Sequence, residues 1–309
     1  MASGGSAWGS RSGFILASVG FAVGLGNIWR FPYVTGENGG SAFVLIYLLC
    51  AFGIGVPILM AEFLLGRRAQ RSPPFAIAAA AQESGLSVRW SWVGNLTILT
   101  AFGILMSYAV VAGWVLYYFY LALTGEMLAS SAIQAQLTFG ELLADPLTLV
   151  FWGSVALLSA ALIIAAGVQQ GIERAVKILM PMLFGLLLLL MVFNVFTGGM
   201  PQALDYLFTP DFSKVDGSTF LAALAQAFFS IGVAMAGMMM FGAYLPKTIS
   251  IAQSAVIIVA ADTAVALLAG LVIFPMVFHN HLDVGAGTGL IFQTLPVAFA
   301  RMDGGVVVG

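Results

Sequence analysis

The run Gly20-Phe21-Ala22-Val23-Gly24-Leu25-Gly26-Asn27-Ile28-Trp29-Arg30-Phe31-Pro32 places three glycines within seven residues, an amide and a full charge inside an otherwise apolar stretch. A helix in hydrocarbon must satisfy its own backbone amides, so a glycine-interrupted span persists only where protein or a polar cavity takes over the freed groups. The run therefore predicts a membrane helix broken near the bilayer midplane, the arrangement that forms a solute site.

Composition sets this segment in a membrane. Of 309 residues, 61% are hydrophobic and only 8% charged, against about 25% charged in a soluble domain. Apolar runs at 13–34, 41–65, 94–123, 147–167, 175–197, 218–246 and 251–278 each approach or exceed the roughly 20 residues needed to cross a bilayer core. Seven spans are expected. The first is not a cleavable signal: Met1 to Gly9 holds no basic residue, and Arg30 and Pro32 stand where a small-residue cleavage site belongs. Arg11, Arg67, Arg68, Arg71, Arg89, Arg174, Lys177 and Lys247 fall on one side of the seven-span arrangement, while the opposite loops hold Lys214 and Arg301. The positive-inside rule then puts the amino terminus in the cytoplasm. A net charge of −2 predicts no nucleic-acid partner. The lone Cys50 reads as a small buried hydrophobe.

The sixth run repeats the oddity of the first. Phe228-Phe229-Ser230-Ile231-Gly232-Val233-Ala234-Met235-Ala236-Gly237 puts small residues in mid-span, where an ordinary span shows Leu and Ile. Two interrupted helices five spans apart match inverted repeats, the second unit entering from the opposite face so that both breaks meet at one depth. The fold expected is all-α and integral to the membrane, with the first five-helix repeat complete and the second cut short after span 7. Residues 66–93 read as a polar inner segment, 124–146 as an acidic outer loop, and 279–309 as an outer loop fragment.

The chain resembles the neurotransmitter:sodium symporters, the family of the bacterial leucine transporter and the eukaryotic monoamine and GABA transporters. The resemblance rests on Gly24 to Pro32, Glu37-Asn38-Gly39-Gly40 with Ala42-Phe43, Glu62 with Gly66-Arg67, Ser107-Tyr108 with Ala112-Gly113-Trp114, and Phe228-Phe229-Ser230. It covers essentially the whole chain. What it implies is a leucine-transporter-type fold and sodium-coupled symport of an amino acid, with no organic cofactor.

Breaking a helix at Val23 to Gly26 exposes two ends of opposite polarity. Amides and the positive dipole end near Leu25 suit a carboxylate, and unpaired carbonyls near Val23 suit a cation. By resemblance, the Leu25 and Gly26 amides hold the substrate carboxylate with the Tyr108 hydroxyl; on the residues alone, Tyr108 reads equally as a core or interfacial tyrosine. The first sodium site takes Ala22, Asn27, Ser230 and Asp262, and an incomplete second takes Gly20 and Val23. Arg30 resembles an outer-gate arginine held by an acid beyond this chain, with Tyr108 and Phe229 beside it. Trp8 resembles an inner-gate aromatic whose basic companion is replaced by Gly4 and Gly5. Ile104, Tyr108, Phe229 and Met235, with Gly232 leaving room, would line a compartment for a large hydrophobic or aromatic side chain; Met235 and Met238 to Met240 also read simply as packing.

Asp262 is an acid in mid-span, at an insertion cost of about 2.5–3.5 kcal/mol if unpartnered. It is expected either to supply the negative charge that chloride supplies elsewhere, making transport chloride-independent, or to sit protonated in the core. Glu62 reads as a hydrogen-bond partner of the broken helices or as a proton carrier. His279 and His281 have no clustered ligands and predict no metal site. No nucleophile constellation, Walker-type loop or continuous polar pore stripe is present, which disfavours an enzyme, an ATP-driven pump and a channel. The second class kept open is a non-transporting membrane fragment of such a symporter. The amino acid, its stoichiometry with sodium and the oligomeric state are not legible; the bilayer expected is a bacterial inner membrane.

Overall fold

The computed structural model describes residues 8–126, 132–196, 199–279, 292 and 295–300. Helices make up most of these segments, and no strand occurs among the described residues. Helix α1 (Arg11–Ala22) is capped by Ser10, whose side chain accepts from the Gly13 amide, and stops at Val23, which turns extended. A π-helical turn, Gly26–Arg30, leads into α2 (Phe31–Glu37). The two halves meet at 49°, so the first span is broken as expected.

After the Gly39-Gly40 turn, where both glycines hold positive φ, come α3 (Ser41–Cys50), a π turn at Ala51–Gly55 and α4 (Val56–Ala69), together one span of 29 residues. Helix α5 (Pro73–Glu83) lies within the polar inner segment and packs on α4 and α6 (Ser91–Thr124). Between α6 and α8 (Pro146–Ala165) runs α7 (Ala132–Ala144). The stretch read as an acidic loop is thus largely helix: Ala135, Phe139 and Leu142 fall at i, i+4 and i+7 and are buried, a spacing its flanking acids obscured. A π turn (Val168–Glu173) opens α9 (Arg174–Val195), and the short α10 (Met200–Phe208) packs against α13 (Ile251–His279).

The sixth span consists of α11 (Gly217–Ile231) and α12 (Gly237–Ala243). At 15 residues, α11 reaches about 22 Å at 1.5 Å per residue, short of a roughly 30 Å hydrocarbon core. It completes a span only with α12 beyond the interruption. Among the described residues, five other helices are long and apolar enough to cross a membrane, and the bent first pair makes a sixth; α11 and α12 occupy the place of the remaining expected span. Of 279–309, the described part past His279 is Phe292 and α14 (Leu295–Ala300), helical where a loop was expected; the remainder, His281 included, lies outside the described residues.

Helix α13 forms the centre. It touches α1, the Gly26–Arg30 turn, α2, α4, α9 and α10, and most of its length is buried. Helices α6 and α8 stand outside the core of this chain, with Leu99, Phe102, Met106, Phe151, Leu158 and Leu162 exposed, an apolar surface unsuited to water. Close approach of these elements runs through glycine: a Cβ at Gly66 would lie 2.0 Å from the Met239 carbonyl oxygen, and one at Gly113 would lie 2.7 Å from the Gly153 amide. Such contacts let helices associate in lipid, where apolar burial gives no driving force.

Candidate functional site

The first break frees backbone groups in the pattern its sequence implies. In a continuous helix the Gly24 and Asn27 amides would close on the Gly20 and Val23 carbonyls. Here Gly24 donates to Asn27 Oδ1 at 3.1 Å, and Asn27 donates its amide to the Gly24 carbonyl at 3.1 Å. Both predicted second-site carbonyls thereby lose their helical donors, and the Leu25 amide closes no backbone bond among the described residues.

The second break is made differently. Gly232 ends α11 in the left-handed region (φ 74°), with its amide on the Phe228 carbonyl. Ala234 and Ala236 follow, also left-handed at φ 64° and 62°, a conformation costing an L-residue roughly 1–2 kcal/mol each. The Ala234 amide is held at 2.6 Å by Glu62 Oε1 from α4, so the intramembrane acid is a partner of the interrupted helix. The room expected beside Gly232 is already filled: a Cβ there would lie 2.7 Å from the Phe21 ring, and one at Gly237 would lie 2.1 Å from it. Gly232 serves the backbone turn, and Phe21 is one residue that sequence reasoning missed.

Beneath the breaks lies a buried polar cluster. Asn27 Nδ2 donates to Asp262 Oδ1 at 2.7 Å, to the Asp262 carbonyl at 3.0 Å and to Ser230 Oγ at 3.0 Å. Ser230 in turn donates to Asp262 Oδ2 at 2.7 Å. Charge-assisted bonds of this kind contribute about 1.5–3 kcal/mol each, so two of them offset the insertion cost of the carboxylate. Tyr47 Oη faces Asp262, Ser230 and Thr263, yet neither it nor Thr263 Oγ1 closes a hydrogen bond of ordinary geometry. The structure therefore brings together Asn27, Ser230 and Asp262, adds Tyr47 and Thr263, and leaves unsatisfied hydroxyls beside a carboxylate. Ala22, at the end of α1, lines the adjoining cavity.

That cavity, about 590 Å³, is lined by Gly20, Ala22, Gly26, Ile104, Tyr108, Phe229 and Met235 among others, with Phe21 at its wall. A second cavity of about 400 Å³ adjoins it through Ile104, Tyr108 and Phe229 and reaches Leu25, Trp29 and Arg30. Tyr108 Oη faces the Gly26 backbone, and its ring lies 6.3 Å from that of Phe229. The Arg30 guanidinium sits 4.9 Å above the Phe229 ring and hydrogen-bonds Gln226 Oε1. Gln226 Nε2 then donates to the Gly26 carbonyl at 3.0 Å. Within this chain a neutral amide holds Arg30, the expected acid lying beyond it, and Gln226 joins the two interrupted spans. At the inner end, Trp8 Nε1 donates to the Phe241 carbonyl at 3.2 Å; Gly4 and Gly5 lie outside the described residues.

Comparison with known proteins agrees with this architecture. The model of the Sodium:neurotransmitter symporter family matches residues 5–140 and 137–308. An uncharacterized sodium-dependent transporter, YhdH of Bacillus subtilis, is 37% identical over 97% of this chain and 66% of its own. The sodium-dependent neutral amino acid transporter B(0)AT2 of Bos taurus is 27% identical over 87% of this chain and 40% of its own. The crystal structure of MhsT in complex with L-phenylalanine superposes with a TM-score of 0.91 at 41% identity, covering 99% of this chain and 68% of that one. The chain spans about two thirds of the length of the bacterial relative, and its fold is of the leucine-transporter type. It is a multi-pass membrane protein that belongs to the sodium:neurotransmitter symporter family.

Proposed function

We propose that the protein carries an amino acid across the membrane together with sodium, by alternating access and with no covalent step. The observation that carries this reading is the buried cluster of Asn27, Ser230 and Asp262 directly beneath two facing helix interruptions. Amides freed near Leu25 and Gly26 receive the substrate carboxylate, with Tyr108 as a further donor. Sodium is a hard cation and takes oxygen ligands: the Ala22 carbonyl, Asn27 Oδ1, the Ser230 hydroxyl and Asp262 form the first site. On entering, the ion displaces the Asn27 amide group from the Asp262 oxygens, and that side chain then turns its own oxygen inward. The Gly20 and Val23 carbonyls belong to a second, partial site. Trp8 closes the inner path; Arg30, Tyr108 and Phe229 close the outer one.

The substrate proposed is a large hydrophobic or aromatic amino acid. Apolar walls from Ile104, Phe229 and Met235 support it, as does the L-phenylalanine bound by MhsT. Asp262 supplies the fixed negative charge, so transport runs without chloride, and the amino terminus faces the cytoplasm of a bacterial inner membrane. The test is uptake of labelled amino acids by proteoliposomes of the complete protein under an imposed sodium gradient. Accumulation of aromatic and branched substrates that collapses without sodium is expected; uptake indifferent to sodium overturns the reading. A non-transporting fragment would accumulate no substrate under the same gradient.

A further inference from the structure

Gly13 is pressed against an acid from another span: a Cβ there would lie 2.0 Å from Glu173 Oε1 and 2.2 Å from the carboxyl carbon. Glu173 ends the π turn before α9 and is buried, with 4% of its surface exposed. Its Oε2 accepts from the Gly9 amide at 3.1 Å, and its Oε1 accepts from Ser10 Oγ at 3.1 Å and from Lys177 Nζ at 2.8 Å. The same N-terminal segment is held from the other side, where Trp8 donates to the Phe241 carbonyl at 3.2 Å and packs edge-on against Phe14 and Phe241. The entry to α1 is thus clasped between α9 and α12.

We infer that Glu173 is the inner-gate positioning residue of this protein: its carboxylate pins Gly9 and Ser10, and the inner half of the first span swings only when those bonds are given up. A carboxylate accepting a backbone amide and a hydroxyl is a charge-assisted clasp, and Lys177 one turn along its own helix aims it. Gly13 is glycine because any side chain would occupy the carboxylate's place. The clasp needs no basic residue near the amino terminus, which is where a gate partner was sought in the sequence. It rests on the alternating-access reading above, but its test requires neither substrate nor transport.

In the complete protein with Cys50→Ser and Ala17→Cys, an impermeant maleimide is applied to the cytoplasmic face of inside-out vesicles. Ala17 is buried on the inner half of the first span, so its labelling reports the swing. Glu173→Gln should accelerate labelling roughly tenfold, the scale of one lost charge-assisted hydrogen bond, and Gly13→Ala should do the same while keeping the charge. Glu173→Asp should fall between these and the parent. Native Cys50, also buried, serves as the second reporter in proteins retaining it and should stay protected in all of them. Unchanged Ala17→Cys labelling in both Glu173→Gln and Gly13→Ala overturns the inference. Equal acceleration at Cys50 overturns it too, since Glu173 would then stabilise the fold in general.

Discussion

Asp262 carries the most consequential charge at the residue scale. Asn27 and Ser230 each give it a hydrogen bond, and Asp262→Asn keeps the shape while removing the charge. Sodium affinity should fall at least about tenfold, and uptake should become dependent on external chloride; equal activity of that variant with and without chloride would refute the role. Gln226 makes a separate case. It links the Gly26 carbonyl to Arg30, so Gln226→Leu takes the amide partner from the half-buried guanidinium while the Gly26 carbonyl keeps the Phe31 amide, at about 1–3 kcal/mol. Substrate binding should weaken by roughly tenfold or more in equilibrium titrations. Asn27 and Ser230 stood out through local motifs and Asp262 as an acid in mid-span, and the structure brings the three together; Gln226 and Phe21 gave no such signal, because their contacts lie some 200 residues away in the chain. No nearby residue announces such a partner.

At the scale of elements, the two interruptions are held by different means. Glycine and an amide side chain open the first, whereas the second stores strain at Ala234 and Ala236 and is tethered by Glu62. Ala236→Gly removes about 1 kcal/mol of that strain and should raise the thermal midpoint in detergent; a lower midpoint would show that the alanine methyl matters more than its φ. Gly66→Ala drives a methyl into the Met239 carbonyl and should abolish well-folded protein, as seen by size-exclusion chromatography. At the outer start of α11, Asp216 caps the helix in a capping box with Thr219, and hydrogen bonds from Ser218 above all hold its carboxyl below the ordinary aspartate range. Its folded value is depressed, so its contribution is present above the unfolded value and lost as pH falls through the folded one. Amide exchange at the first turn of α11 should therefore quicken in that acid window and not near neutrality. The breaks themselves were readable from glycine placement. Helix α7 was not, because acids near its end masked an apolar stripe that faces α8 and the aromatic cluster of Trp114 and Tyr118.

Across the whole molecule, α13 and the two interrupted spans make the buried centre, and α6 and α8 present an apolar flank. The all-helical, leucine-transporter-type fold was readable from hydropathy, the glycine-interrupted spans and the resemblance they carry. The depth at which side chains meet was not, since it depends on close helix approach at glycines such as Gly66 and Gly242. The site as proposed joins ion and solute at one place, and the prediction is cooperative binding, each raising the other's affinity by the same factor. Equilibrium binding of labelled phenylalanine to the complete protein, titrated against sodium and then in reverse, measures that factor from both sides. The account predicts equal factors of at least roughly tenfold, both lost in Asn27→Ala. Phenylalanine binding of the same strength with and without sodium would contradict it.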